Sequence, residues 1–304
     1  MARRSAFVFP LVAMALVACH DGGANGDGAA PNVSLAHVTF SAAPNTSLSV
    51  TPPHHAPVVC RAIGASGPLH RDADGGALLP GDVIGDDFTL LGAGGKLSVK
   101  NGVTTRETIF EGPGDVRVCV NGDEEMWMTS GVFTSVIGAG ETPGAEVWIV
   151  TPHVIVRYGS GTHVKVSAST TKADVDLKAG EAWAYPLGAF TVADAGPPKE
   201  SEGWVDIPGN GVVTFKSSRA PSQVVGDCEQ AAKAAHDLAV QIDTHDASLA
   251  DAAPKHVVLR RKAHALCAAA ELVSARSMDL VERARLLPRA RAGSAKWRDA
   301  SANP

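Results

Sequence analysis

The chain has 304 residues, 27 Lys and Arg against 32 Asp and Glu, and a net charge of −5 with neutral histidine. Beyond its N-terminal segment no apolar run approaches ~18 residues, which excludes a membrane-spanning helix there. Five cysteines with no C-x-x-C spacing exclude a four-cysteine zinc site, and about 270 residues after the N-terminal segment suffice for a core of one or two domains.

The N-terminus opens on Arg3 and Arg4, continues through an apolar run from Phe7 to Leu16, and closes on Leu16-Val17-Ala18-Cys19. The run is too short to cross a bilayer, which takes about 20 residues, and a basic start, apolar centre and small residues form a secretory signal. The last four residues resemble the bacterial lipobox, in which cleavage exposes a cysteine that carries lipid. The resemblance implies that residues 1–19 are a lipoprotein signal peptide and that Cys19 is acylated, anchoring the protein to a membrane through lipid. The chain would then face the periplasm or cell surface. His20 stands where lipoproteins retained at the inner membrane carry Asp, which points to the outer membrane. Such a location excludes nucleic acid as a partner. Residues 20–32 (HDGGANGDGAAPN) lack periodic apolar positions and read as a flexible tether.

Residues 33–218 alternate with period two. Lys96–Lys100, Asp115–Val120, Glu146–Val150 and Ala173–Lys178 are examples, separated by the turn dipeptides Asn101-Gly102, Pro113-Gly114, Asn121-Gly122 and Ala179-Gly180. Many short strands at this spacing predict a mainly β domain, an antiparallel sandwich or barrel-like sheet. The stretch VTPHVIVRYGSGTHVKVSAS, residues 150–169, tests the alternative of a phosphate-binding glycine loop. Such a loop needs a helix after it, whereas here both flanks alternate. Val154, Val156 and Tyr158 fall on one face, His153, Arg157, His163 and Lys165 on the other. The expectation is a β-hairpin turning at Gly159-Ser160-Gly161. His153 and His163 can be read as metal ligands or as a solvated face; Arg157 and Lys165 beside them favour the solvated face, and His54-His55 read as a solvated loop. No metal or other cofactor is expected. Asp86-Asp87 and Glu124-Glu125 read as loop or edge-strand charges. Trp127, Trp148, Trp183 and Trp204 lie in strand-like stretches, open to core packing or to a contact surface.

Residues 219–304 change to helical period. Val225, Cys228, Ala232, Ala235, Leu238, Ala239 and Ile242 form one stripe, and Leu259, Ala263, Leu266, Cys267, Ala270 and Val273 another. Thr244 to Ala253 interrupts them and Pro254 is placed to open the second helix, predicting a helical hairpin followed by a basic tail. Such a hairpin is symmetric about its loop, so Cys228 and Cys267, equidistant from residues 247–248 and both on apolar faces, should be bonded. Subtraction then pairs Cys60 with Cys119, an even set in keeping with an oxidising compartment. From residue 251 onward eleven Lys and Arg stand against five acids, a surplus of six, leaving −11 on residues 1–250. A basic helix beyond Met278 suits anionic lipid or acidic glycan; docking on the acidic β-domain, or a solvated face, is the alternative.

The β-region resembles the FecR-domain family over about residues 75–186. The residues that carry the likeness are Ala77-Leu78-Leu79-Pro80-Gly81-Asp82-Val83-Ile84, then Gly95–Gly102, then Val150-Thr151-Pro152-His153, Gly159–Val166 and Ala173–Ala182. The resemblance implies a β-rich periplasmic interaction module. The family's sensors add a spanning helix and a cytoplasmic segment that controls a sigma factor, and the lipobox here departs from that plan. No G-x-S-x-G, H-E-x-x-H or Walker loop occurs. His264 three residues before Cys267 reads as a surface histidine beside a bridged cysteine rather than a Cys–His pair. The expectation is therefore a lipid-anchored, non-catalytic FecR-like binding or scaffold protein that contacts another cell-envelope protein, as an accessory to envelope signalling. The alternative is attachment to peptidoglycan or surface glycan.

Overall fold

The computed structural model describes residues 60–85, 87–101, 107–120, 125–136, 146–193, 200–217, 219–244 and 249–299. Residues 1–32, expected as signal peptide and tether and including Cys19, lie outside these residues, as do His54-His55, Asp86 and Glu124. Every described element belongs to one unit, Thr51–Pro304. Fifteen strands come first: β1 (Cys60–Ser66), β2 (Leu69–Arg71), β3 (Thr89–Leu91), β4 (Lys96–Asn101), β5 (Glu107–Arg117), β6 (Glu125–Val136), β7 (Val147–Val150), β8 (Val154–Tyr158), β9 (His163–Ala168), β10 (Ala173–Ala179), β11 (Ala182–Pro186), β12 (Ala189–Val192), β13 (Glu200–Ser201), β14 (Trp204–Asp206) and β15 (Val212–Lys216). Three helices follow: α1 (Pro221–Asp243), α2 (Leu249–Ala275) and α3 (Leu280–Asp299). The protein is mainly β with C-terminal helices.

The strands form one curled open sheet, and β6 is the strand that makes it curl. Its first residues, Glu125 to Trp127, pair in parallel with Trp148 to Val150 of β7, and its second half pairs antiparallel with β9. Along its other edge it keeps β5. One wing therefore runs β6-β7-β8-β11-β14-β13 and the other β6-β9-β10-β15-β12, with β5, β4 and β1 beyond β6. The bend falls where backbones nearly touch. A Cβ on Gly114 would lie 2.0 Å from the Ser130 carbonyl oxygen, and Gly131 sits at φ +114°, a conformation glycine adopts without strain. Pro113-Gly114, expected as a turn, is instead a bulge inside β5, where the register shifts between Glu111 and Asp115.

The alternation of β7 and β8 feeds two cores. Val147, Ile149, Val154, Val156 and Tyr158 join Phe110, Phe133, Val164, Val175 and Phe215 inside the curl. The intervening Trp148, Val150 and Ile155 point outward, where α1, α2 and α3 cover them. A strand buried on both faces reads as a near-continuous apolar run, as VWIV and VIV do. The expected hairpin between β8 and β9 does not form. β8 pairs with β7 and β11, while β9 pairs with β10 and β6. Residues 159–162 therefore form a corner that carries the chain from one wing to the other, and residues 180–181 repeat the passage between β10 and β11. The two corners touch: a Cβ on Gly180, at φ +81°, would lie 2.5 Å from the Gly161 carbonyl oxygen. Pro152 lies in the β7–β8 turn. There the Thr151 hydroxyl oxygen accepts from the backbone N–H of His153 at 3.2 Å and of Val154 at 3.0 Å.

α1 and α2 are the antiparallel pair, bridged by a disulfide between Cys228 and Cys267 with Cα atoms 4.6 Å apart. The second disulfide joins Cys60 at the start of β1 to Cys119 just after β5. Both are the pairs expected from the hairpin's symmetry and subtraction. α2 begins at Leu249, five residues before Pro254, so that proline lies inside it. Asp251 in its first turn favours the positive end of the helix dipole, which supports the earlier start. The basic tail is α3, which packs on the α1–α2 pair. Leu286 and Ala290 are buried, and Gly293 lies against the Cys228–Cys267 bridge. Arg289 makes a bidentate ion pair with Glu229 of α1, at 2.8 and 2.7 Å.

Candidate functional site

The corners that switch the chain between wings open a cleft of about 420 Å³. It is lined by Glu146, Arg157, Gly159, Ser160, Trp183 and Arg261, among others. Thr162 donates its hydroxyl to the Glu181 carbonyl at 3.1 Å and closes the floor between the two corners. Glu146 precedes β7, Arg157 lies on β8 and Trp183 on β11, directly paired in register with Arg157. Arg261 reaches in from α2, so the site is shared between sheet and helices.

Its lining carries two arginines, Arg157 and Arg261, and two glutamates, Glu146 and Glu181, of which Glu146 makes the ion pairs. Glu146 accepts from Arg157 at 2.8 Å and from Arg261 at 3.1 Å, one carboxylate serving two guanidinium groups. Arg157 also lies over the rings of Trp204 at 4.8 Å and Trp183 at 5.6 Å. Burial pulls the Arg157 pKa below its ordinary value; Glu146 opposes that and the Arg261 cation adds to it. An anionic group placed between Arg157 and Arg261 would offset their mutual repulsion. Arg157 and Arg261 present planar fork donors suited to a carboxylate, and Trp183, half-buried, offers an aromatic face beside them. Of the four strand tryptophans expected to choose between core and surface, Trp127, Trp148 and Trp204 are buried core residues. Only Trp183 reaches the cleft.

A second polar cluster joins the two layers. Glu125, expected as an exposed edge charge, is fully buried at the start of β6. One carboxylate oxygen accepts from the Trp127 indole N–H and the other meets Nε2 of His264 on α2. Burial works to raise the Glu125 pKa, but His264, Trp127 and the nearby Arg298 together hold it below the usual value. His264 is not a surface residue either. Its ring is stacked between Trp148 at 4.1 Å and Trp297 at 4.9 Å. Cys267, its neighbour on the helix, is bound in the disulfide. This cluster ties α2 and α3 to the sheet. The sequence hid it, because Glu125 follows Asp123 and Glu124 and reads as the last of an acidic run.

The two hairpin histidines are far from equivalent. His153 is 3% exposed, against the expectation of a solvated face. Its Nε2 lies 2.9 Å from the Ser169 carbonyl oxygen, and Nδ1 accepts from the Ser217 backbone N–H at 3.3 Å. The neutral ring with its proton on Nε2 satisfies both contacts, and burial lowers its pKa. His163, half-buried, sits on β9, which does not pair with β8, the strand that follows His153, and the described residues hold no cluster of three or more His, Cys, Asp or Glu suited to a metal. At the far end of α2, Arg276 clamps Asp72 at 2.8 Å and the buried Asp115 at 2.6 Å. No protein-family model, no curated protein and no solved structure matches the chain.

Proposed function

We propose that this protein is a lipid-anchored, FecR-like extracytoplasmic binding protein that engages another cell-envelope component through the cleft between its β-corners and α2. The observation that carries the reading is the site formed by Arg157, Arg261, Glu146 and Trp183. It is a concave pocket in which Arg157 and Arg261 share the carboxylate of Glu146 beside the Trp183 face, with the exposed Glu181 on its rim. The fitting occupant is a segment of an envelope protein that brings a carboxylate beside an apolar or aromatic group. The lipobox at Leu16–Cys19 and the tether of residues 20–32 support the anchored, extracytoplasmic part of the reading, and the quoted motifs support the FecR-like part.

The test is partner capture from solubilised envelopes by tagged wild-type protein and by the variants Trp183→Ala and Arg261→Glu. Loss of one dominant captured protein by each variant, with the far-UV circular dichroism of the folded wild type retained, is the expected result, about tenfold or more for a contact that removes a charge-assisted pair. Equal capture by all three proteins would overturn the cleft as the contact site. Retention on purified cell wall, with no protein captured, would move the reading to a glycan ligand.

A further inference from the structure

The far end of the helical layer carries a surface that neither the cleft nor the core uses. Met278, Leu280 and Val281, at the turn into α3, are 91%, 70% and 79% exposed. Three adjacent large apolar side chains so fully in water are unusual at a helix start. The tip is held in place: Asp279 caps α3 by accepting from the backbone N–H of Val281 at 2.9 Å and of Glu282 at 3.1 Å. Arg283 donates to the Ser277 carbonyl at 3.0 and 2.6 Å, and Glu282 accepts from the Ser277 hydroxyl at 3.2 Å.

Along the outward side of α3 the exposed charged residues are Arg285, Arg289, Arg291 and Lys296. Among the described side chains of that helix no exposed one is acidic. Of the four cations, Arg289 is held by Glu229. The surface is thus an apolar tip, in which the exposed Asp279 carboxylate is engaged as the helix cap, followed by a cationic face on a helix whose opposite side is fixed by Leu286, Ala290, Gly293 and Trp297. A glycan would use the cations but gain nothing from Met278, Leu280 and Val281. A second copy set face to face would bring like charges together. An anionic bilayer uses both features, with apolar tips entering the headgroup region and cations meeting lipid phosphates.

We propose that the α2–α3 tip and the outer face of α3 are an interfacial membrane contact selective for anionic lipid, in which Met278, Leu280 and Val281 insert and Arg285, Arg291 and Lys296 bind headgroups. The contact orients the folded part on the membrane. It is independent both of acylation at Cys19 and of the cleft.

The experiment uses unacylated protein from His20 onward, which contains every described element. It is floated with vesicles of phosphatidylcholine alone or with about one third phosphatidylglycerol. Flotation with the anionic vesicles only is expected. Both Met278→Ser/Leu280→Ser/Val281→Ser and Arg285→Glu/Arg291→Glu should reduce it about tenfold or more, since each removes apolar area or surface charge attraction. All these side chains are exposed, so far-UV circular dichroism and the melting temperature should match the wild type. Absence of flotation, equal flotation of wild type and variants, or a concentration-dependent dimer abolished by the apolar triple variant would each overturn the proposal.

Discussion

At the residue scale, the informative side chains are the polar ones placed inside. His153 shows how a buried imidazole records its surroundings. With Nδ1 facing the Ser217 N–H, protonation would set two donors against each other, and burial also disfavours the cation. Its pKa in the folded protein is therefore below the ordinary value near 6.5. The unfolded chain then binds the proton more readily, so the stability this residue contributes is complete above about pH 6.5. It is lost as pH falls from there through the depressed folded value. Unfolding in urea should give a free energy that declines between pH 7 and pH 5. In His153→Gln the curve should be flatter, with a loss of about 1–3 kcal/mol at pH 7 from the broken hydrogen bonds. His256, also lowered by burial, remains in both proteins, so the difference between the curves isolates His153. Parallel curves would remove His153 from the account. Glu125 acts in a separate window, because its lowered pKa protects stability until pH falls below about 4.5.

At the element scale, two helical glycines make opposite predictions. Gly293 of α3 has no room: a Cβ there would lie 2.4 Å from Cys228 Sγ and 3.3 Å from Cys267 Sγ. Gly226 of α1 has nothing within 4 Å of its Cβ position. Gly226→Ala should stabilise by about 0.5–1 kcal/mol through helix propensity alone. Gly293→Ala gains the same propensity yet should cost about 1–3 kcal/mol net, because α3 must move off the disulfide. Chemical denaturation of the two variants decides it; stabilisation by both would mean that α3 is not seated on the bridge. Most elements were legible in the sequence. Period two in Ala173–Lys178 gave β10, the stripe from Val225 to Ile242 gave α1, and the symmetry of Cys228 and Cys267 about their loop gave the antiparallel pair. Local pattern could not say which strands become neighbours. A Gly-Ser-Gly corner and a Gly-Ser-Gly hairpin turn are written with the same residues, and what separates them is whether β8 meets β9 or β11. Pro113-Gly114 is likewise a turn signal that the long β5 absorbs as a bulge.

At the scale of the whole molecule, the helical layer determines what the sheet exposes. Without α1–α3, the outward side chains Trp148, Val150 and Ile155 would lie open, and the cleft would lack Arg261. The pairs that unite the layers are far apart in sequence: Arg261 with Glu146, His264 with Glu125, Arg276 with Asp72. That distance is why the candidate site was not legible beforehand. Glu125 was read as an edge charge because nothing local marks His264 of α2 as its partner, and Arg157 as a solvated charge because Glu146 and the Trp183 and Trp204 rings reach it only once the strands are paired. The basic surplus of the C-terminal region was legible, and its division was not: Arg261 and Arg276 face the acidic β-layer, while Arg285, Arg291 and Lys296 face outward. The most direct test of the central claim, that the cleft holds a partner, is crosslinking in intact cells. A photoreactive amino acid would replace Trp183 in the cleft and, as a control, Val212, an exposed position on β15 of the other wing. The account predicts one dominant envelope adduct from position 183 that position 212 does not give. The same adducts from both positions, or none from position 183 while the protein is at its normal level, would contradict it.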